Sequence, residues 1–337
     1  MSDTDNKPIT LQDVATRAGV STSTASRALA GNPAISHDVR QRIVEVAQAL
    51  RYTVPFRKAR GRPPTDMVTV IMPPIGTRVL PDPFILELLG GITIAMRDRG
   101  RAFCISPVVP QDDESLNAIL DDNPAGAYII LGQTQYHKAL NRQFRLGRTF
   151  VVWGPEMEGQ LYCSVAGDNV AGAMRLTQHL LRRGRERIVF LGMAPYAAIA
   201  DRMKGYAEAL DQAGIGVDPQ LILHGDIGYD DASDPMNHLI DDGVGFDAVF
   251  ASSDMLALGV MTTLTRRGIR IPEDVAVVGY DDIALARHAT PALTTVRQNV
   301  VKAGQLLVSK LARRESGLLA ASERLPTEMI VRESCGG

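Results

Sequence analysis

Several things are scarce in this chain of 337 residues. It has three cysteines, Cys104, Cys163 and Cys335, far apart and in no metal-binding spacing. A disulfide framework or a cysteine-based zinc site needs more of them at shorter intervals, so a reducing compartment is expected. No run approaches the roughly 18 consecutive apolar residues of a membrane span. The opening MSDTDNKPIT lacks the apolar stretch of a signal peptide. The expectation is a cytoplasmic protein with no membrane partner. Also missing are a phosphate-cradling glycine loop, a G-x-S-x-G elbow and a Cys/His pair in a catalytic motif. His137, His179, His224, His238 and His288 show no metal-like spacing with acids or cysteines. No enzyme activity, no metal and no cofactor are therefore expected. The carboxylates Asp254 and Asp282 could serve acid–base or metal chemistry, but they flank helix starts, where capping is the commoner task.

Charge of either sign is moderate overall, a formal net of −2, but it is unevenly spread. Residues 1–65 hold ten Lys/Arg against five Asp/Glu, which makes that segment +5 and the remainder −7. Either these are charges clustered by chance on a solvated face, or a basic head meets a polyanion.

The head, residues 9–52, reads as three short helices. Thr10 with Asp13 three residues on approaches a capping box. Leu11, Val14, Ala15 and Ala18 then recur at helical spacing, and Gly19 suits the left-handed residue that closes a helix. Val20 is expected between the first two helices. Ser21 can cap a second helix, STSTASRALA, whose apolar face (Ala25, Ala28, Leu29) is narrow. A third helix carries Val39, Ile43, Val46, Ala47 and Leu50 on one face. Two short helices joined by a tight glycine turn, the second small and polar, form the pattern of a helix-turn-helix. Such a helix can sit deep in a major groove, whereas a generic three-helix bundle has no need of that Ser/Thr-rich face.

From Met67 the pattern alternates: MVTVIMPP as strand, FILELLGGITIAMRDRG as helix, RAFCISPVV as strand, and so on through DVAVVGYDD. Alternation of this kind predicts parallel sheets covered by helices. Polar groups at strand ends, such as SSD and GYDD, lie where open α/β sheets bind ligands.

The stretch TLQDVATRAGVSTSTASRALAGNPAISHDVRQRIVEVAQALRY resembles the head of the lactose/galactose repressor family. The signatures DNVAGA, ADRMKGYAEAL, SSDMLALGVMTTLTRRGIRIPEDVAVVGYDDIALA and PALTTVRQNVVKAG resemble its sensor core, a fold shared with periplasmic sugar-binding proteins. Together they cover nearly the whole chain. The resemblance implies an N-terminal all-α helix-turn-helix domain (1–52), a linker (53–66) and a two-lobed α/β core with parallel sheets (67–337). One lobe would take about 67–184 and 297–326, the other 185–296 and 327–337. The chain would cross between them near Gly184, near Thr294–Gln298 and near Pro326. The implied function is a DNA-binding transcription regulator, a repressor, whose affinity for a near-palindromic double-stranded operator is set by a small-molecule effector, a sugar, bound between the lobes. The partners would be operator DNA, the effector and a second copy in a homodimer. A solute-binding transport component or a sugar-processing enzyme is the alternative.

Carried over by motif, Thr22, Ser23 and Arg27 would meet bases. Arg27 could pair bidentately with a guanine. Thr10, Ser21, Ser26, Asn32 and Ser36 are placed for phosphates, Ser26 being equally a packing residue. In the core, Arg202, Asp281, Ser253 (where relatives often have Asn) and Gln298 match effector contacts, and Phe84 would close the other lobe. Asp168 is either a contact or an N-cap, and Trp153 either stacks on a sugar or is core. The linker departs from the family: YTVPFRKARGRPPTD lacks the usual Asn and the Leu of a hinge helix, and Gly61, Pro63 and Pro64 would break one. Arg60-Gly61-Arg62-Pro63 resembles an AT-hook. So Arg60 and Arg62 would lie in a narrow A·T minor groove, or the linker is a basic tether on phosphates.

Overall fold

The computed structural model describes residues 10–29, 35–50, 67–73, 82–123, 126–192, 196–226 and 228–336. Asn32, Arg60, Arg62 and the expected linker thus lie outside the described residues. The chain divides into two compact units, Met1–Arg62 and Pro63–Gly337.

In the first unit α1 (Leu11–Ala18), α2 (Thr22–Leu29) and α3 (His37–Ala49) pack on one another. Thr10 caps α1 in a reciprocal capping box with Asp13, and Gly19 closes it at φ 67°, a left-handed conformation that a side chain would strain. Ser21 Oγ accepts from the Thr24 amide at 3.1 Å and starts α2. Val14, Ala15, Ala18, Ala25, Ala28, Ile43 and Ala47 form the core, with Val20 packed against it.

The second unit carries two parallel sheets. Its elements run β1 (Val68–Ile71), α4 (Pro83–Arg97), β2 (Phe103–Ile105), α5 (Asp113–Asp122), β3 (Ala127–Leu131), α6 (His137–Arg145), β4 (Thr149–Trp153) and β5 (Ser164–Gly167). Then follow α7 (Asn169–Arg182), β6 (Ile188–Leu191), α8 (Ala197–Gln212), β7 (Ile222–Leu223), α9 (Ser233–Asp241), β8 (Ala248–Ala251), α10 (Asp254–Arg266) and β9 (Ala276–Val278). The chain finishes with β10 (Thr295–Arg297), α11 (Val300–Glu315), β11 (Glu323–Leu325) and β12 (Glu328–Ile330). The first sheet has the order β11-β5-β4-β3-β1-β2 and the second β7-β6-β8-β9. An antiparallel pair, β10-β12, joins the edge of the second sheet through the bridges Val278–Thr294 and Asp281–Arg297.

Both sheets are covered on both faces, which is why their strands read as continuous apolar runs. In the first sheet Val68 and Val70 face α4 and α11, while Ile71, Tyr128, Ile130 and Phe150 belong with α5 and α6. In the second, Ile188, Phe190 and Phe250 pack with α7 and α8, and Val189, Val249 and Val277 with α9 and α10. Helices α4 and α11 touch at Gly91 and Gly304, where a Cβ on Gly304 would lie 2.2 Å from the Gly91 carbonyl carbon.

The sheets define two lobes, and the chain passes between them at Asp168–Asn169, Gln298–Asn299 and Pro326–Thr327. The first passage corrects the expectation of Gly184. Helix α7 belongs to the second lobe, because Ala173, Leu176 and Leu180 share a core with α8 and the second sheet.

Candidate functional site

On the first unit, Ser23 and Arg27 are exposed on α2, one helical turn apart, with Arg27 Nε 3.4 Å from the Ser23 carbonyl. Thr10 and Ser21 are exposed as well, and Thr22 and Ser26 are half-buried. The Thr22 hydroxyl donates to Gln12 Oε1 at 2.6 Å, so α1 fixes the orientation of the first residue of α2. The exposed face thus consists of short hydroxyls around one guanidinium.

In the second unit a cleft of about 850 Å³, counting its open mouth, lies between the lobes. Its walls come from the carboxyl ends of strands and from helix starts, the geometry expected of parallel sheets. Trp153 ends β4, Asp82 and Phe84 begin α4, and Gln133 follows β3. From the second lobe come Arg202 on α8, Ser253 at the start of α10 and Asp281 beyond β9. Gln298 and Asn169 stand at passages between the lobes.

Arg202 organises the polar side. It is 6 % exposed, and each of its three nitrogens donates: Nε to Asn169 Oδ1 at 3.0 Å, Nη1 to the Ser252 carbonyl, and Nη2 to Asp281 Oδ1 at 3.2 Å. Its carbon lies 3.8 Å over the centre of the Tyr280 ring, a cation–π contact strengthened by burial. Gln298 Nε2 donates to the same Asp281 oxygen at 2.7 Å. Asp281 sits at φ 117° and Asp282 at φ 56°. Backbone strain of this kind, worth about 1–3 kcal/mol per residue, persists where the surroundings hold a functional group in place.

Burial pushes the Asp281 carboxyl up to about 7, against the pull of Arg202 and with the Asp82 charge adding to the rise. Asp254, buried and beside Asp281, is also held well above the carboxylate range. Its oxygens accept from the Thr295 hydroxyl at 2.5 Å and the Ile283 amide at 2.9 Å. It therefore pins the loop that carries Asp281 instead of capping α10, which Ser253 does by accepting from Leu256 at 3.2 Å. Asp282 is engaged by Arg297 at 2.7 Å and Arg332 at 2.5 Å.

The apolar side pairs Phe84 with Trp153, ring centres 6.0 Å apart and tilted 39°. Trp153 is at once part of the core and a lining residue. Of the residues singled out from sequence, Phe84, Trp153, Arg202, Ser253, Asp281 and Gln298 come together around this cleft. Asp168 does not. Its carboxylate accepts from the Ala171 amide at 3.2 Å and caps α7. Sequence reasoning missed Asp82, Gln133, Asn169 and Tyr196. Asn169 is legible in principle, since it follows Asp168 in the DNVAGA signature, where the acid is the more conspicuous polar group. Among the described residues no group of three or more His, Cys, Asp or Glu could hold a metal ion, and no helix is long and apolar enough to cross a membrane.

A three-helix unit with a polar recognition face, carried on the same chain as a two-lobed core with a cleft, defines a ligand-responsive DNA-binding regulator. The comparisons are specific about which kind. Residues 10–54 match the description "Bacterial regulatory proteins, lacI family" and residues 177–335 a periplasmic binding protein-like domain. The HTH-type transcriptional regulator CelR of Thermobifida fusca is 32 % identical over 336 residues, covering 96 % of this chain and 98 % of that one. The repressor CytR of Escherichia coli K12 is 29 % identical, with 96 % of each chain covered. A solved CelR–cellobiose complex aligns at 30 % identity and a TM-score of 0.72 over 97 % of this chain and 99 % of that one. The lac repressor dimer bound to operator and the anti-inducer ONPF shares the fold, with a TM-score of 0.71 at 22 % identity over 98 % of this chain and 99 % of that one. The chain belongs to the lacI family of bacterial regulatory proteins and is a DNA-binding transcription regulator.

Proposed function

We propose that this protein is a cytoplasmic repressor that binds a near-palindromic operator as a homodimer and is controlled by an uncharged sugar held between its lobes. The observation that carries the reading is the meeting of Arg202, Asp281, Gln298, Phe84 and Trp153 in one cleft. Aromatic faces suit the apolar face of a pyranose, and a buried carboxylate suits its hydroxyls. The CelR–cellobiose complex supports a sugar. The charge balance supports an uncharged one. Each nitrogen of Arg202 already donates within the protein, and the lining carboxylate of Asp82 would repel a phosphate or uronate. Arg27 is assigned to base edges, Thr22 and Ser23 to weaker base contacts, and Thr10, Ser21 and Ser26 to phosphates. A change in lobe closure then alters operator affinity by the sugar's differential binding to the two states. No catalytic step is assigned to the cleft.

The test is fluorescence anisotropy with fragments from the region upstream of its own gene, at fixed salt, with and without a panel of neutral mono- and disaccharides. One tight site, shifted by one sugar, is expected. Arg27→Ala should weaken that site about tenfold to a hundredfold while hardly changing binding to random DNA. Arg202→Ala and Asp281→Ala should bind the operator and ignore the sugar; variants that keep the full response would remove these residues from the effector site.

A further inference from the structure

Gln133 has the signature of a contact waiting for its partner. It is 2 % exposed and lines the cleft from the first lobe. Its Nε2 donates to the Pro155 carbonyl. That carbonyl can only accept, so the amide nitrogen must face it and Oε1 is turned the other way. Oε1 then has no hydrogen-bond partner, although it is buried. It lies beside Gly154, also a lining residue, where an added Cβ would come within 2.9 Å of it. The glycine at 154 is what lets the oxygen lie there, against backbone instead of a side chain. Orphaned buried acceptors are rare because each costs its full desolvation. An orphan on a residue that lines a ligand cleft is explained by a ligand that donates to it.

We infer that Gln133 is a specificity-determining residue of the effector site, accepting a hydrogen bond from a hydroxyl of a neutral sugar at the first-lobe end, beside Trp153. This rests on the sugar reading above and adds a polar anchor opposite Arg202 and Asp281. A ligand that reaches both lobes must then present hydroxyl donors at both ends. A group that can only accept, such as a carboxylate or a methyl ether, meets Oε1 unfavourably. Sites that hydrogen-bond a hydroxyl reject analogues lacking it far more strongly than apolar pockets discriminate size.

The decisive experiment is a double-mutant cycle by titration calorimetry. The full-length protein and Gln133→Met, which keeps length but lacks an acceptor, are titrated with whichever neutral sugar of the panel binds the unaltered protein. Both are then titrated with that sugar's monodeoxy derivatives. Gln133→Met should bind the parent sugar about tenfold more weakly. One deoxy position should cost the unaltered protein about tenfold and cost Gln133→Met nothing. Gly154→Ala, whose Cβ would come within 2.9 Å of Oε1 and displace it, should show the same selective loss. The thermal midpoint of ligand-free Gln133→Met should stay close to that of the unaltered protein, which separates a lost contact from a damaged fold. Equal deoxy penalties in both proteins at every position overturn the role of Gln133 and leave the sugar reading standing. No binding of any neutral sugar to the unaltered protein overturns both.

Discussion

At the scale of single residues, the site is governed by how a few charges tolerate burial. Asp281 is the clearest case. Its carboxyl is pushed up to about 7 in the folded protein, chiefly by burial, against an ordinary 3.8. A carboxyl raised on folding binds its proton more tightly in the native state. Its contribution to stability is therefore present below about pH 4 and lost as pH rises through about 7. Urea unfolding of the protein and of Asp281→Asn should show the difference in stability drifting against the unaltered protein from pH 4 to 7, then levelling. A difference independent of pH would mean that Asp281 does not titrate in that window. Asp254 is shifted in the same direction, chiefly by burial and next by the Asp281 charge, so its coupling to Asp281 adds to the same drift. The sequence made Arg202, Asp281 and Gln298 legible because they sit in long signatures. Gln133 was not legible: a glutamine in a Gly-Gln-Thr-Gln loop reads as solvated until the fold buries it against Pro155. Asp82 was hidden differently, since an Asp before a proline at a helix start reads as a cap, which it also is.

At the scale of elements, the order of strands and helices could be read from alternation, but helix α7 could not be assigned to a lobe. Its buried stripe of Ala173, Leu176 and Leu180 would look the same against either sheet. Only the packing against α8, where Gly205 brings the two backbones together, places it in the second lobe. The same kind of approach joins α4 to α11 and gives a sharp contrast between neighbouring glycines. A Cβ on Gly91 would lie 2.3 Å from the Val300 carbonyl oxygen, while one on Gly90 meets nothing within 4 Å. Gly90→Ala should stabilise the protein by up to about 1 kcal/mol through helix propensity. Gly91→Ala should destabilise it by about 3 kcal/mol, because backbone cannot yield as a side chain can. Chemical denaturation of the two variants side by side checks this, and similar midpoints would mean that α4 and α11 are not closely packed at that point.

At the scale of the whole molecule, control requires that the sugar favour one lobe arrangement and that operator binding favour one too. Two of the three passages between the lobes are tied together: the Thr327 hydroxyl donates to the Asp168 carbonyl at 3.3 Å, and Arg175 of α7 donates to the Thr327 carbonyl at 2.7 Å. Gly172 lies against this knot, and a Cβ there would fall 2.4 Å from the Tyr280 hydroxyl and 2.8 Å from the Thr327 hydroxyl. Gly172→Ala should therefore disturb the hinge while substituting no residue of the cleft and leaving the exposed face of α2 untouched. If the sugar and the operator act through one two-state equilibrium, the factor by which sugar changes operator affinity equals the factor by which operator changes sugar affinity. In the unaltered protein that factor is expected to be about 5–150-fold, the usual range of allosteric coupling. A methyl that favours one arrangement reduces it from both sides equally, and shifts the ligand-free operator affinity and the DNA-free sugar affinity with it. Anisotropy titrations with and without sugar, paired with calorimetry with and without operator, measure all four quantities. Loss of the sugar's effect on the operator, with both separate affinities unchanged, would place the coupling somewhere other than this hinge.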